Sequence, residues 1–194
     1  GKAAEGEIFI RKSIKLNPNS PEAYTNLGNI LNNQRKLKEA EICHHKAIKL
    51  NPNFSEAYSN LGNTLKDLGK LKEAKKNLLK SIQLKPTSSN AYSNLGSIYR
   101  MTGELKEAFN YCLRSIKINP KNKYNFSLIT RILRDIDPCL INKKELRYII
   151  KKLLEREDVA HRELFIVFHH LYSEKLLSII NELDSENLKK NSLL

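Results

Sequence analysis

The chain has 194 residues, 40% hydrophobic and 28% charged, with a formal net charge of +13. That balance suits one soluble domain, or one compact domain with an appendage, long enough to bury a real core. It excludes a bilayer-spanning helix, because the longest uncharged apolar run, LFIVF at residues 164–168, is far too short.

The charge is unevenly placed. Residues 1–122 hold 21 Lys+Arg against 10 Asp+Glu, whereas residues 123–194 hold 13 against 11. The chain is also rich in Asn, Lys and Ile together, a mix that an AT-rich genome produces without any demand for acidic partners. Cys43, Cys112 and Cys139 are odd in number, far apart and form no CxxC pair, so neither a disulfide framework nor a zinc site is expected. Cys43 and Cys112 fall in amphipathic segments, where free cysteine acts as a small apolar residue. A reducing compartment, the cytoplasm, fits this usage.

The opening GKAAEGEIFIRK has no initiating Met and no apolar stretch of signal-peptide type, and reads as a start inside a longer protein. Residues 4–20, ending IKLNPNS, match the second half of the units that follow, so the chain is expected to enter in mid-repeat. Three units then align without gaps, at residues 21–54, 55–88 and 89–122, each 34 residues after the last. Their openings read AYTNLGN from Ala23, AYSNLGN from Ala57 and AYSNLGS from Ala91.

Each unit predicts two helices. In the first, Tyr24, Leu27, Gly28 and Leu31 recur at spacings of three and four, one face of an α-helix. A turn follows at residues 34–36, 68–70 and 102–104. Gly69 and Gly103 suit the left-handed residue that often ends a helix; Arg35 replaces it in the first unit, so a looser or differently shaped turn is expected there. The second helix opens with LKEA, and Glu39, Glu73 and Glu107 sit where its dipole favours negative charge. It stops at Pro52, Pro86 and Pro120, because proline cannot continue a helix and disfavours helical geometry before it. Gly28, Gly62 and Gly96 lie mid-helix at about 1 kcal/mol each relative to alanine, a recurrent cost that predicts a close helix crossing. Ala40, Ala74 and Ala108 are the expected small partners.

A 34-residue unit with Tyr, Leu-Gly, Ala and Pro in these places resembles the tetratricopeptide repeat. Tyr24, Tyr58 and Tyr92 replace the family's usual tryptophan, and His44, Leu78 and Cys112 occupy a place that is often aromatic. The resemblance covers residues 21–122. It implies an all-α fold, an α-solenoid with a right-handed superhelical twist, whose first helices line a concave groove.

Beyond the repeats, residues 123–136 predict a helix capping the last unit, which solenoids need for solubility. Asp137-Pro138 breaks it. Asn142 and Glu145 predict a capping box, ahead of Leu146, Ile149, Ile150, Leu153 and Leu154 on one face. Two more amphipathic helices are expected at residues 161–172 and 174–183, before a frayed tail, so that residues 137–194 form a helical C-terminal extension.

Once core packing has explained Ala, Tyr, Leu, Gly and Pro, the asparagines remain. On a helical wheel the columns opposite the apolar stripe are Glu22/Glu56/Asn90, Asn26/Asn60/Asn94, Asn29/Asn63/Ser97 and Asn33/Asp67/Met101. Asparagine is a mediocre helix former. Its amide offers a donor and an acceptor, the complement of a peptide group, so a ladder of them grips an extended backbone whatever its sequence. The same wording lines the groove of the O-linked N-acetylglucosamine transferase superhelix, which this resembles; the peptide-gripping role is what the resemblance implies for Asn26, Asn60 and Asn94. Asn29 and Asn63 extend the ladder, while Glu56, Lys66, Asp67 and Arg100 bias its sequence preference. The alternative is a solvated face copied by duplication. Three bidentate amides supply roughly 3–6 kcal/mol before ordering costs, which means millimolar to high-micromolar binding on their own. A carboxylate clamp of the kind some members of the family use needs lysines beside the asparagines, where this chain has Thr25, Ser59 and Ser93.

The basic residues Lys38, Lys46, Lys49, Lys72, Lys80, Lys106, Arg114 and Lys117 recur on second helices, without the interleaved aromatics of a nucleic-acid surface. His44-His45 and His161 with His169-His170 lack partners at recognised metal-ligand spacing. No phosphate loop, nucleophile elbow or Cys–His pairing stands out, so no catalytic residue, cofactor or metal is expected within the chain. The reading is a non-enzymatic interaction module for a protein or peptide partner, with self-association open. Its alternative is the recruiting region of a larger enzyme, since bacterial repeat arrays preceding methyltransferase or glycosyltransferase domains resemble this arrangement.

Overall fold

The computed structural model describes residues 2–156, 167 and 169–173. Two compact units divide the chain, Gly1–Asn125 and Phe126–Leu194. Among the described residues the structure is all helical, with no strand.

The first unit contains α1 (Lys2–Leu16), α2 (Pro21–Asn33), α3 (Leu37–Leu50), α4 (Ser55–Asp67), α5 (Leu71–Leu84), α6 (Ser89–Met101) and α7 (Leu105–Ile118). The helices pair as hairpins α2–α3, α4–α5 and α6–α7, and each second helix packs on the first helix of the next hairpin. In addition α2 touches α4 and α4 touches α6, with no comparable contact among α3, α5 and α7. The stack is therefore tighter on its first-helix side, and an array of hairpins that closes on one side is concave there. This is an α-solenoid.

The second helices end at Leu50, Leu84 and Ile118. Each time the next residue leaves helical geometry, with Asn51 at φ −136° and Lys85 at φ −140°, as a following proline demands. The glycine crossings are as close as expected, but the partner differs. A Cβ at Gly28 would meet the His44 ring at 2.5 Å, and one at Gly62 would meet Leu78 Cγ at 2.5 Å. At Gly96 it would meet the Ala108 carbonyl oxygen at 3.2 Å and Cys112 N at 3.3 Å. Ala74 and Ala108 contribute through their carbonyl oxygens, and the side chain one turn on, His44, Leu78 or Cys112, fills the space the missing Cβ leaves. Leu61, Leu65, Ala74, Leu78, Ala91, Leu95 and Ile98 then form one continuous core across the second and third hairpins.

The turn at Arg35 is closed as tightly as the glycine turns but lacks a bond that they share, Leu71 N to Gly69 O and Leu105 N to Gly103 O, both at 2.9 Å. Arg35 has φ +63°, beside +78° at Gly69 and +81° at Gly103. The same closing bond forms each time, Lys36 N to Leu31 O, Lys70 N to Leu65 O and Glu104 N to Tyr99 O, all at 2.9 Å. Main-chain hydrogen bonds dictate the turn, and Arg35 carries the left-handed cost that glycine avoids.

Two bonds tie hairpin ends together in a way the sequence reading missed. Ser55 Oγ lies 3.0 Å from Ser81 Oγ, and Ser89 Oγ 3.0 Å from Ser115 Oγ. Ion pairs also recur from repeat to repeat: Lys36 with Glu7 at 3.6 Å, Lys70 with Glu41 at 2.8 Å, and Lys75 with Glu104 at 3.0 Å, the last with its charges exchanged.

Helix α8 (Lys123–Asp135) begins in the first unit and continues into the second. A 3-10 turn, Pro138–Leu140, and α9 (Lys143–Leu154) follow. Asn142 Oδ1 accepts from the main-chain N–H groups of Lys144 and Glu145, capping α9. Leu146, Ile149, Ile150 and Leu153 are buried, but Leu154 faces solvent, one position past the apolar stripe. The Arg156 guanidinium sits 4.2 Å from the Phe126 ring centroid. Residues 174–183, the tail and most of 161–172 lie outside the described residues.

Candidate functional site

Helices α2, α4 and α6 stand side by side on the concave side, so the asparagine columns of successive repeats become neighbours. Asn26 is exposed, while Asn60, Asn94, Asn29 and Asn63 are half-buried. Glu22, Glu56 and Asn90 are exposed beside them, and so are Asn33, Asp67 and Met101.

One residue joins the columns. Lys66, on the last turn of α4, donates from Nζ to Asn63 Oδ1 at 2.8 Å and to Asn94 Oδ1 at 3.4 Å, the second bond crossing to the next repeat. Its ammonium also lies 3.6 Å from Asp67 Oδ1. Only 13% of the Lys66 side chain is exposed, so this lysine is a built-in part of the surface rather than a solvated tether. The structure thus gathers Asn63, Asn94, Lys66 and Asp67 into one cluster. Arg100, half-buried, occupies the position equivalent to Lys66 one repeat on, and Asn32 the position one repeat back.

Sequence reasoning placed Lys66 in the groove but not as a link between asparagines. The signal was present: Lys66 follows Asn63 by three residues, one helical turn. What it lacked was the register between α4 and α6, which brings in a residue 28 positions away.

Thr25, Ser59 and Ser93, beside the asparagines in sequence, do not line the groove. All are buried at 4% exposure or less, and their hydroxyl oxygens have no hydrogen-bond partner among the described residues. Thr64 differs, donating its hydroxyl to the Asn60 main-chain carbonyl at 3.0 Å.

At His44 and Cys112 the other candidate chemistries resolve into packing, whereas Cys139 Sγ lies 4.0 Å from His170 Nδ1, a Cys–His proximity the sequence reading did not expect. The His44 ring is fully buried against Gly28, with neither nitrogen paired among the described residues. Burial, and secondarily the neighbouring His45 charge, lowers its pKa to about 4, so it is neutral near pH 7. Cys112 is buried, its thiol donating to Asn125 O at 3.2 Å, and burial pushes its pKa up; a thiol held protonated is a poor nucleophile. Among the described residues no group of three or more His, Cys, Asp or Glu could hold a metal ion, and no helix is long and apolar enough to cross a membrane. The second-helix lysines and Arg114 are exposed, Lys80 less so, as expected of an outward face.

Sequence models of the tetratricopeptide repeat match residues 21–54 and 89–122, and two further models of the same repeat match 46–76 and 62–103. Together they run without a gap from 21 to 122, more than half of the chain. No curated protein matches the sequence. Among solved structures, PilF of Pseudomonas aeruginosa aligns at 20% identity and TM-score 0.69, over 100% of this chain and 85% of its own. YrrB, described as a TPR protein with an unusual peptide-binding site, aligns at 21% identity and TM-score 0.63, over 86% of this chain and 83% of its own. The first TPR of Spaghetti (RPAP3), bound to the HSP90 peptide SRMEEVD, aligns at 22% identity and TM-score 0.55, covering 58% of this chain and 90% of that one.

Proposed function

The chain belongs to the tetratricopeptide-repeat family, and from that premise we propose that it is a non-catalytic interaction module whose groove along α2, α4 and α6 holds an extended peptide. The observation that carries this reading is the alignment of Asn26, Asn60 and Asn94 on adjacent first helices, exposed or half-buried where core packing has no use for an amide. Peptide binding by YrrB and by the Spaghetti domain, both of this fold, supports it. The groove resembles the asparagine-lined superhelix of the O-linked N-acetylglucosamine transferase. Asn29 and Asn63 supply further amides, and Lys66, Asp67 and Arg100 bias which side chains the groove accepts.

The amides act on the main chain of the guest. Asn26 and Asn60 each offer an N–H donor side and a carbonyl acceptor, and Asn94, whose Oδ1 accepts from Lys66, offers its N–H side; the grip is sequence-tolerant, and affinity beyond the millimolar to high-micromolar range comes from flanking side-chain pockets or further repeats. The test compares peptides selected from a displayed random library on the native chain with binding of the same peptides to an Asn26→Ala, Asn60→Ala, Asn94→Ala variant. The variant is expected to keep its helical melt and lose binding at least about tenfold. Equal binding by both would reduce the asparagines to a relic of duplication.

A further inference from the structure

Lys66 gives the middle of the groove a direction that the other asparagine pairs do not have. An ammonium has three donors and no acceptor, so whatever faces Lys66 Nζ must be the oxygen side of an amide. Asn63 at 2.8 Å and Asn94 at 3.4 Å are therefore held with Oδ1 toward the lysine, and the Asp67 carboxylate lies 3.6 Å from the same ammonium. The amide nitrogens of Asn63 and Asn94 are left pointing elsewhere. Neither is a buried unpaired atom, and neither has a partner among the described residues, so both donors are open to solvent. One repeat back, Asn32 stands in place of Lys66, and the Asn29 and Asn60 amides are not pinned.

Resting on the groove reading above, we infer that Lys66 is a positioning residue that fixes the hydrogen-bond polarity between the second and third repeats, so that Asn63 and Asn94 act as donors and hold a bound segment by its main-chain carbonyls. The carboxylate of Asp67 beside the ammonium leaves the cluster without net charge, which favours a neutral carbonyl over an acidic side chain as the acceptor. The guest at this step is an extended peptide gripped by C=O groups, and its N–H groups are dispensable there.

The test is an NMR titration of the 15N-labelled full chain with three probes. The first is an acetylated, amidated nonapeptide of alternating serine and alanine. The second is the same peptide with alternate main-chain nitrogens methylated, which removes donors and keeps carbonyls. The third carries glutamates at every third position. Both uncharged probes are expected to shift the Asn63 and Asn94 side-chain NH2 signals to a similar extent at saturation, while lost N–H contacts at Asn26 and Asn60 weaken the methylated one overall. Lys66→Glu presents acceptors to the same amides and turns them over, so the uncharged probe weakens roughly tenfold and the methylated one further; Lys66→Arg, which also only donates, binds like the native chain. Circular dichroism checks that Lys66→Glu is folded, and if it is not, Lys66→Met decides, with a smaller loss expected. Loss of the Asn63 and Asn94 shifts on methylation while those at Asn26 and Asn60 persist, or no effect of the Lys66 variants, would overturn the role of Lys66 while leaving the groove standing. A glutamate probe binding tenfold tighter than the neutral one would make this an anion site instead. No shift of any groove asparagine with any probe would overturn the groove reading as well.

Discussion

His44 makes the first repeat sensitive to acid, and the size of the effect follows from its surroundings. Its ring is buried against Gly28 with both nitrogens unpaired among the described residues, and its pKa falls from 6.5 to about 4. The folded pKa lies below the unfolded one, so between these values the unfolded chain binds more protons than the folded chain. Stability is therefore full above about pH 6.5, drops as pH falls, and levels off below about pH 4. A shift of this size corresponds to about 3 kcal/mol over the whole window, and to about 2 kcal/mol at pH 5. The perturbation is His44→Leu, which installs the residue that fills the same place over Gly62 in the next repeat. It also removes two unpaired polar atoms, so the variant is expected to gain about 1 kcal/mol even at pH 7.5. Urea melts at pH 7.5 and pH 5 measure both effects. If His44→Leu loses as much stability between these two pH values as the native chain does, the buried imidazole is not the acid-sensitive element.

Arg35→Gly relieves a left-handed residue at φ +63° and is expected to raise stability by about 0.5–1 kcal/mol in urea melts, the strain relief being partly offset by unfolded-chain entropy. Gly62→Ala drives a Cβ to within 2.5 Å of Leu78 Cγ and is expected to cost about 2 kcal/mol or more. Gly96→Ala, whose nearest atom is the Ala108 oxygen at 3.2 Å, is expected to be nearly neutral because the gain in helix propensity offsets a small adjustment. Equal melts for those two alanine variants would contradict the crossing geometry.

The repeat, its hairpins and its close crossings were legible in the sequence because each rests on a local requirement copied three times: an apolar face, a glycine, a proline stop. Arg35 was only partly informative. Residue type reports the cost of a left-handed turn, whereas the bond from Lys36 N to Leu31 O decides its geometry. The pairs Ser55–Ser81 and Ser89–Ser115 were visible only as a joint departure, since the first unit has Pro21 and Ala47 at the equivalent places; reading them needed the distance between helix ends. Thr25, Ser59 and Ser93 sit one residue from exposed or half-buried asparagines and yet are buried, because a wheel for one helix omits the neighbouring first helices that cover part of it. The same omission hid Lys66, whose second partner lies on another repeat.

The account's central claim is that a peptide runs along the first helices past Asn26, Asn60 and Asn94. The most direct measurement attaches a nitroxide to either end of a library-selected peptide and follows the broadening of asparagine side-chain amide signals in the 15N-labelled chain. The predicted result is graded broadening, strongest at Asn26 with the label at one end and strongest at Asn94 with it at the other, with Asn60 intermediate in both. Broadening confined to second-helix residues such as His45, Lys80 or Arg114, with the three asparagines untouched, would contradict it.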